Sequence, residues 1–219
     1  MLKATLKDAK DLEKLVNEIG FLPLFASERT PYSVEGATPG QWWTGNADDP
    51  WLWREIAARE GNILYGKFFS GRAGFVSREW FPDFANLRRD GYDFDSRWEE
   101  GLETPKAHEI MNFLEKNGAS LTCEIKRATG AKGFEAVLTA LQNKTYCVID
   151  GFERRRNKRG EPYGWNIARI VSPEAAFGED WVRSKYGDSP ETSKNRMMKH
   201  LISCFPEIPA DDLAQMIGN

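Results

Sequence analysis

Apolar residues recur with helical spacing near the start of the chain. The stripe consists of Leu12, Leu15, Val16 and Ile19, at intervals of three and four residues. The pattern predicts a helix from about Leu6 to Ile19, with Thr5 as its N-cap and Asp8 in the capping-box position. Gly20 is expected to end that helix.

A helix, a hairpin and another helix are predicted next. Asp49-Pro50 is typical of an N-cap followed by proline in the first helical turn, so we expect a helix that ends at Gly61. Residues 63–76 have the apolar character of two short strands around a Ser70-Gly71 turn. Ser77 is then expected to cap a further helix.

The second half of the chain predicts three helices and a pair of strands. Thr104-Pro105 begins the first helix, Ser120 is expected to cap the second, and the third carries an apolar stripe between residues 134 and 141. Strands are predicted at 145–149 and 165–171, on either side of a charged excursion. Further helices are expected at Ser172-Pro173, Ser189-Pro190 and Pro209.

Three short helices followed by a two-stranded ribbon with a basic tip are the order of a winged helix, a variant of the helix-turn-helix. The predicted fold class is therefore α+β and mostly helical. It combines a winged helix-turn-helix with an N-terminal aromatic-rich helical region that contains a short hairpin. The expected parts are 1–103, the aromatic-rich region; 104–172, the winged-helix domain; and 173–219, terminal helices that pack on the rest.

The charge of the chain is distributed unevenly. The net charge is −3, but residues 104–171 carry 12 Lys and Arg against 7 Asp and Glu. A basic segment within an acidic protein indicates a local anionic partner. Three cysteines without paired spacing favour the reducing cytoplasm. No apolar run approaches the ~18–20 residues of a membrane helix, and the charged N-terminus is unlike a signal peptide.

The basic segment contains five cations within six residues: Arg154, Arg155, Arg156, Lys158 and Arg159. These charges repel one another unless an anion compensates them, and the phosphate backbone of double-stranded DNA is the anion that fits best. Lys132 and Lys144 are expected to contribute from the third helix. The alternative is a solvated charged loop.

The third helix offers few groups that read base edges, so recognition of backbone or shape is favoured. Its expected outward positions are Lys132, Glu135, Ala136, Thr139, Gln142 and Asn143.

The segment from Lys67 to Arg89 resembles the aromatic–alanine–proline segment of the AlkZ-type alkylpurine DNA glycosylases. The matching residues are Lys67, Phe68, Phe69, Ala73, Phe75, Val76, Glu79, Trp80, Pro82, Arg88 and Arg89. Residues 105–178 are similar to a following winged helix of that family, with Phe134, Leu138, Leu141 and Tyr163-Gly164 in matching places.

This resemblance implies tandem winged helices and the excision of alkylated purines without a metal, in which a Gln-x-Gln pair orients the hydrolytic water. The comparable sequence here, Gln142-Asn143-Lys144, lacks the second glutamine, and the histidine of the aromatic segment is missing. The chain is therefore expected to be a shortened relative without the Gln-x-Gln unit. Its expected function is DNA binding, with no catalytic residue, cofactor or metal.

Two other functions stay open. One is an active glycosylase that uses a carboxylate or a relocated glutamine in the cleft between the two main regions. The other is a protein-interaction module, because winged helices also join assemblies. Trp42-Trp43 and Trp51-x-Trp53 could stack unpaired bases, although a place in the core is favoured. Asp90, Asp93 and Asp95 could hold a metal, although helix capping by Asp93 or Asp95 is favoured.

Overall fold

A computed structural model of the protein describes residues 5–28, 30–38, 41–157 and 159–218. Its helices are α1 (Ala9–Ile19), α2 (Val34–Ala37), α3 (Pro50–Glu60), α4 (Phe81–Arg89), α5 (Phe94–Glu99), α6 (Pro105–Asn117), α7 (Thr122–Thr129), α8 (Phe134–Asn143), α9 (Pro173–Phe177), α10 (Glu179–Val182), α11 (Pro190–Cys204) and α12 (Ala210–Ile217). Its strands are β1 (Phe21–Pro23), β2 (Ile63–Phe69), β3 (Arg72–Ser77), β4 (Ser120–Leu121), β5 (Val148–Glu153) and β6 (Ile167–Val171). The α+β class is confirmed.

The strands form one antiparallel sheet of six strands over the described residues, in the order β1-β3-β2-β5-β6-β4. The predicted hairpin is present, since β2 and β3 pair around Ser70-Gly71. The pair Tyr65–Ile149 joins β2 to β5, so the sheet continues across residue 103. The division into 1–103, 104–172 and 173–219 stays a prediction.

Four helices, α3, α6, α9 and α11, begin with the predicted combination of a capping side chain and a proline. Asp49 accepts a hydrogen bond from the N–H of Trp51 at 2.8 Å, and Thr104 Oγ1 accepts one from Ala107 at 3.2 Å. The first N–H groups of a helix have no partner within it, and these oxygens satisfy them. Helices α9, α11 and α12 also begin where predicted, directly after Ser172, Ser189 and Pro209.

The start of α1 was predicted wrongly. Asp8, not Thr5, is the N-cap, because its Oδ1 accepts hydrogen bonds from Lys10 and Asp11, each at 2.9 Å. The carboxylate accepts two bonds and its negative charge suits the helix N-terminus. The end was predicted correctly, since the N–H of Gly20 donates to Val16 at 2.8 Å.

Two predicted serine caps are strand residues instead. Ser77 ends β3, and α4 begins after Trp80 with Pro82 in its first turn. Ser120 belongs to β4, which pairs with β6, and Leu121 is the N-cap of α7. In both places a strand residue continues the sheet close to the helix start, which the capping pattern alone does not reveal.

The two strands that flank the basic segment are shifted from the predicted 145–149 and 165–171. Thr145 adopts a left-handed backbone conformation, φ 65°, so β5 begins only at Val148 and continues to Glu153. β6 begins at Ile167. In the described part of the chain, no helix combines the length and the apolar character that crossing a bilayer requires.

Candidate nucleic-acid interface

The basic segment is the far end of an antiparallel ribbon. β5 and β6 pair from Val148–Val171 to Glu153–Ile167. The backbone pairing continues beyond the two strands. The N–H of Tyr163 donates to Arg155 O at 3.0 Å, and Arg156 and Pro162 form an isolated antiparallel β-bridge. We call residues 153–166 the basic ribbon.

A single asparagine shapes the tip of the basic ribbon. Asn157 Oδ1 accepts hydrogen bonds from the backbone N–H groups of Arg159, at 2.8 Å, and Glu161, at 3.0 Å. Asn157 Nδ2 donates to Glu161 Oε2 at 2.7 Å. This side chain therefore fixes the turn in the way that Asx turns do. Lys158, one of the five predicted DNA contacts, lies outside the described residues.

The four described arginines of the basic ribbon are exposed. Arg154 Nη1 donates to Asn166 Oδ1 at 3.3 Å and Arg156 Nη1 donates to Gly160 O at 2.8 Å, so both support the hairpin. Arg155 and Arg159 make no side-chain hydrogen bond to another described residue. None of the four forms an ion pair with a described carboxylate. Their charge is therefore open to an anion from outside the protein.

The two predicted lysines differ in their surroundings. Lys132 is exposed in the turn before α8. Lys144 is half-buried, and its Nζ lies 2.5 Å from Glu103 Oε1. The side chain of Glu103 is 5% exposed and also pairs with Arg97 Nε at 2.8 Å. The charge of Lys144 is thus already compensated within the protein.

Part of the expected outward face of α8 is covered by the β2–β3 hairpin. Gln142 is only 2% exposed: its Oε1 accepts from the N–H of Lys67 at 3.1 Å, and its Nε2 donates to Leu138 O at 3.3 Å. Lys67 Nζ donates to Thr139 Oγ1 at 3.2 Å. The outward placement of Gln142 was therefore wrong, because the hairpin packs on that side. Glu135 and Ala136 stay exposed, and neither is a hydrogen-bond donor to bases.

The base of the basic ribbon is attached to α3. Asn166 Nδ2 donates to Glu55 Oε2 at 2.6 Å, and the rings of Trp165 and Trp51 meet edge to face, with centroids 6.1 Å apart. Sequence reasoning named Trp51 but missed Glu55, Trp165 and Asn166, because 111 positions separate the hydrogen-bonded pair. The only signal available was the polar-aromatic Trp165-Asn166 pair beside the cations.

The predicted tryptophan core is confirmed for Trp53, which is buried and donates its indole N–H to Ala47 O at 2.9 Å. It is wrong for Trp43, which is 57% exposed. Trp165 is 67% exposed, and half-buried Trp51 lies between them, with both centroid distances at 6.1 Å. We call Trp43, Trp51 and Trp165 the tryptophan patch.

Residues beneath the tryptophan patch hold it in place. Arg54 is 4% exposed, and its guanidinium carbon lies 3.7 Å from the centre of the Trp51 ring and 4.1 Å from that of Phe152. Burial lowers the pKa of Arg54, and burial raises the pKa of neighbouring Tyr65 to about 12. The base of the basic ribbon therefore packs on buried side chains.

The acidic residues near α5 serve the helices. Asp93 is the N-cap of α5 and accepts from the N–H of Ser96 at 2.8 Å, which confirms the predicted capping role. Asp90 is the left-handed C-cap of α4. Within the described ranges, no group of three His, Cys, Asp or Glu residues has the arrangement of a metal site.

An antiparallel sheet with helices around it and an exposed basic ribbon define an α+β protein with a cationic surface. The model of the family described as AlkZ related matches residues 6–218, so the chain belongs to the AlkZ-related family. This match confirms the resemblance that the Lys67–Arg89 segment indicated. The comparisons with curated proteins and with solved structures each gave no match.

Proposed function

We propose that residues 104–172 form a winged helix whose basic ribbon binds the phosphate backbone of double-stranded DNA, without catalysing a reaction. The order α6, β4, α7, α8, β5, β6 supports this assignment, together with the pairing of β6 with both β4 and β5. Membership of the AlkZ-related family supports a DNA-related role. The observation that carries the proposal is the set of exposed arginines on a fixed hairpin, none of which pairs with a carboxylate of the described residues.

Backbone contact fits this surface better than the reading of bases. The hairpin covers Thr139 and Gln142, so α8 offers few donors to the major groove. A basic ribbon neutralises phosphates whatever the sequence, and each contact releases counterions. If all five cations engage, the slope of log affinity against log salt is about −4.5, since each contact gives about −0.9. Lys132 is free to add a contact, whereas Lys144 must first leave Glu103.

A salt titration of duplex binding tests the proposal. Fluorescence anisotropy of a labelled blunt duplex compares the wild type with Arg155→Gln/Arg159→Gln. These two arginines make no side-chain hydrogen bond to the described residues, so the hairpin stays intact when they are replaced. We expect weaker binding and a slope that is less steep by about 1.8, from about 0.9 for each lost contact.

The matched control is Lys194→Gln/Lys199→Gln, which removes the same charge from α11. It should bind like the wild type. Equal losses in both double variants would mean that net charge, rather than the ribbon, determines the affinity. If the wild type binds no duplex even at low salt, the protein-interaction function is favoured instead.

We propose no catalytic activity, because Gln142, the glutamine comparable to the one that orients water in the glycosylases, is held by hydrogen bonds within the protein. Both ends of the Gln142 amide are hydrogen-bonded inside the protein. A single-turnover excision assay on N7-alkylated duplex DNA checks this point. Release of the base by the wild type, above the level of Arg154→Ala/Arg155→Ala/Arg156→Ala, would restore the glycosylase function.

A cytoplasmic location belongs to the same proposal. The three cysteines are free thiols, as expected for a reducing compartment.

A further inference from the structure

We propose that the tryptophan patch is a stacking platform for unpaired nucleobases, on a DNA strand that continues from the duplex held by the basic ribbon. This second site rests on the proposed function, which places the duplex next to it. It assigns a preferred substrate: DNA in which paired and unpaired segments meet.

The exposure of the patch is the first reason. Large aromatic side chains are mostly buried, and a contiguous exposed apolar patch usually marks a binding site. Here Trp43 and Trp165 each have more than half of their surface in solvent, and Trp51 connects them. Two indoles open to solvent on either side of Trp51 can each stack on a base.

The second reason is that the patch is preorganised. Trp43 has a left-handed backbone, φ 64°, which is unusual for a residue with a bulky side chain. Buried Asp49 maintains it, since its Oδ1 accepts from the N–H groups of Trp43, at 3.1 Å, and Trp51, at 2.8 Å. The buried guanidinium of Arg54 packs on the ring of Trp51. A platform that is already ordered loses less entropy when a ligand binds.

The third reason is the charge beside it. Arg154 donates to Asn166, so the first cation of the basic ribbon is held at the residue that directly follows Trp165. An unpaired strand supplies both partners, because its bases expose their faces and its phosphates carry charge. Within a duplex, neighbouring bases cover those faces. An apolar protein segment would leave the arginines without a counterion.

Three probes test the platform by anisotropy: a blunt duplex, the same duplex with a single-stranded thymidine extension, and the same duplex with an abasic extension of equal length. The abasic extension keeps the phosphates and removes the bases. We expect the thymidine extension to bind about 5- to 150-fold more tightly than the abasic one, the range given by ~1–3 kcal/mol per stacked base.

Variants then separate stacking from apolar contact. Trp165→Leu and Trp43→Leu should lose most of the preference for thymidine over abasic extensions, whereas Trp165→Phe should keep part of it, because phenylalanine retains an aromatic face. Binding of the blunt duplex should stay within about twofold, because stacking, unlike phosphate contact, requires unpaired bases. All three replace exposed side chains, so thermal unfolding should match the wild type.

The outcomes distinguish the two proposals. Equal binding of thymidine and abasic extensions by the wild type, or full preference in the leucine variants, overturns the platform and leaves duplex binding standing. Full preference in the leucine variants would place the base contacts elsewhere on the protein. Preference for thymidine without any binding of the blunt duplex supports the platform and overturns the proposed duplex contact.

Discussion

The side-chain amide of Asn166 donates a hydrogen bond to Glu55 Oε2 over 2.6 Å, and this bond joins the basic ribbon to α3. Glu55 also pairs with Arg54, at 3.1 Å, and the guanidinium of Arg54 lies over Trp51. The direction in which the ribbon projects is therefore fixed by the N-terminal region as well as by its own strands.

Asn166→Ala should loosen the basic ribbon without removing a charge. The net contribution of a half-buried hydrogen bond of this kind is about 1 kcal/mol, so the free energy of unfolding should fall by about that amount. Hydrogen exchange measured by mass spectrometry should show faster exchange of the ribbon amides. Duplex affinity should also fall, because a mobile ribbon must be ordered on binding.

Asn62→Ala is the matched control for that substitution. Asn62 Nδ2 donates to Glu13 Oε2 at 3.2 Å, which is also an amide–carboxylate bond but joins α1 to the turn between α3 and β2. Asn62→Ala should leave the hydrogen-exchange rates of the ribbon amides unchanged. Equal exchange of the ribbon in Asn166→Ala and the wild type would show that the strands alone position it.

Arg89→Met should be among the most destabilising substitutions in the protein. Arg89 is fully buried, pairs with Glu174 and donates to Thr145 O at 2.7 Å, so it connects α4 to α9 and to the turn before β5. Removing one partner of a buried ion pair costs about 3–5 kcal/mol. Denaturant unfolding should show a loss of this size, and Arg89→Met/Glu174→Gln should recover part of it.

The comparison for Arg89 is Arg183→Met. Arg183 is about one-third exposed and pairs with Glu179 at 2.6 Å. Exposed pairs contribute at most about 1 kcal/mol, so this variant should unfold close to the wild type. A similar decrease in the free energy of unfolding in both variants would contradict the central role of the Arg89 contacts.

The local rules predicted the fold well where one side chain decides the outcome. Asp49, Thr104, Ser172 and Ser189 each cap a helix as expected, because a short oxygen-bearing side chain beside the helix start can satisfy a free N–H. Where two candidates compete, as with Thr5 and Asp8, the pattern did not separate them. Ser77 and Ser120 failed because sheet pairing, a long-range contact, holds them in strands.

The site was predictable only in part for the same reason. A run of arginines between two strand patterns predicts a basic hairpin, because charge and alternation are local properties. The burial of Gln142 depends on a hydrogen bond to Lys67, 75 positions earlier, and no local pattern contains it. The exposure of Trp43 likewise depends on the loop that Asp49 organises. Local patterns thus identify the ribbon but not the surface beside it.

Cys147 should be protected from alkylation in the folded protein. It lies fully buried directly before β5, and burial raises the pKa of its thiol far above the ordinary value. Cys123 and Cys204 are half-buried. Labelling with iodoacetamide followed by mass spectrometry should modify these two first, and Cys147 only as fast as the protein opens. Labelling of Cys147 at the rate of Cys123 would contradict the buried position.

Alkaline pH should unfold the protein through its buried tyrosines. Burial raises the pKa of Tyr32, Tyr65, Tyr146 and Tyr186, that of Tyr65 to about 12. The unfolded chain releases these protons near pH 10, so above that pH it binds fewer protons than the folded protein. The stability from these groups is therefore complete below pH 10 and is lost as the pH rises towards 12. Ultraviolet difference spectra should show the four phenolates appearing together with unfolding.

Tyr32→Phe should make the protein more resistant to alkali, because the Tyr32 hydroxyl is buried and has no hydrogen-bond partner among the described residues. Removing a buried unsatisfied group while keeping the ring on Phe205, with centroids 4.2 Å apart, should stabilise the fold by about 1 kcal/mol and raise the pH midpoint of unfolding. Tyr146→Phe is the control that should destabilise the fold, because the Tyr146 hydroxyl donates a hydrogen bond to Tyr92 O at 3.0 Å. Circular dichroism against pH measures both variants. A lower midpoint for Tyr32→Phe would mean that its hydroxyl has a partner, and that burial alone does not hold its proton.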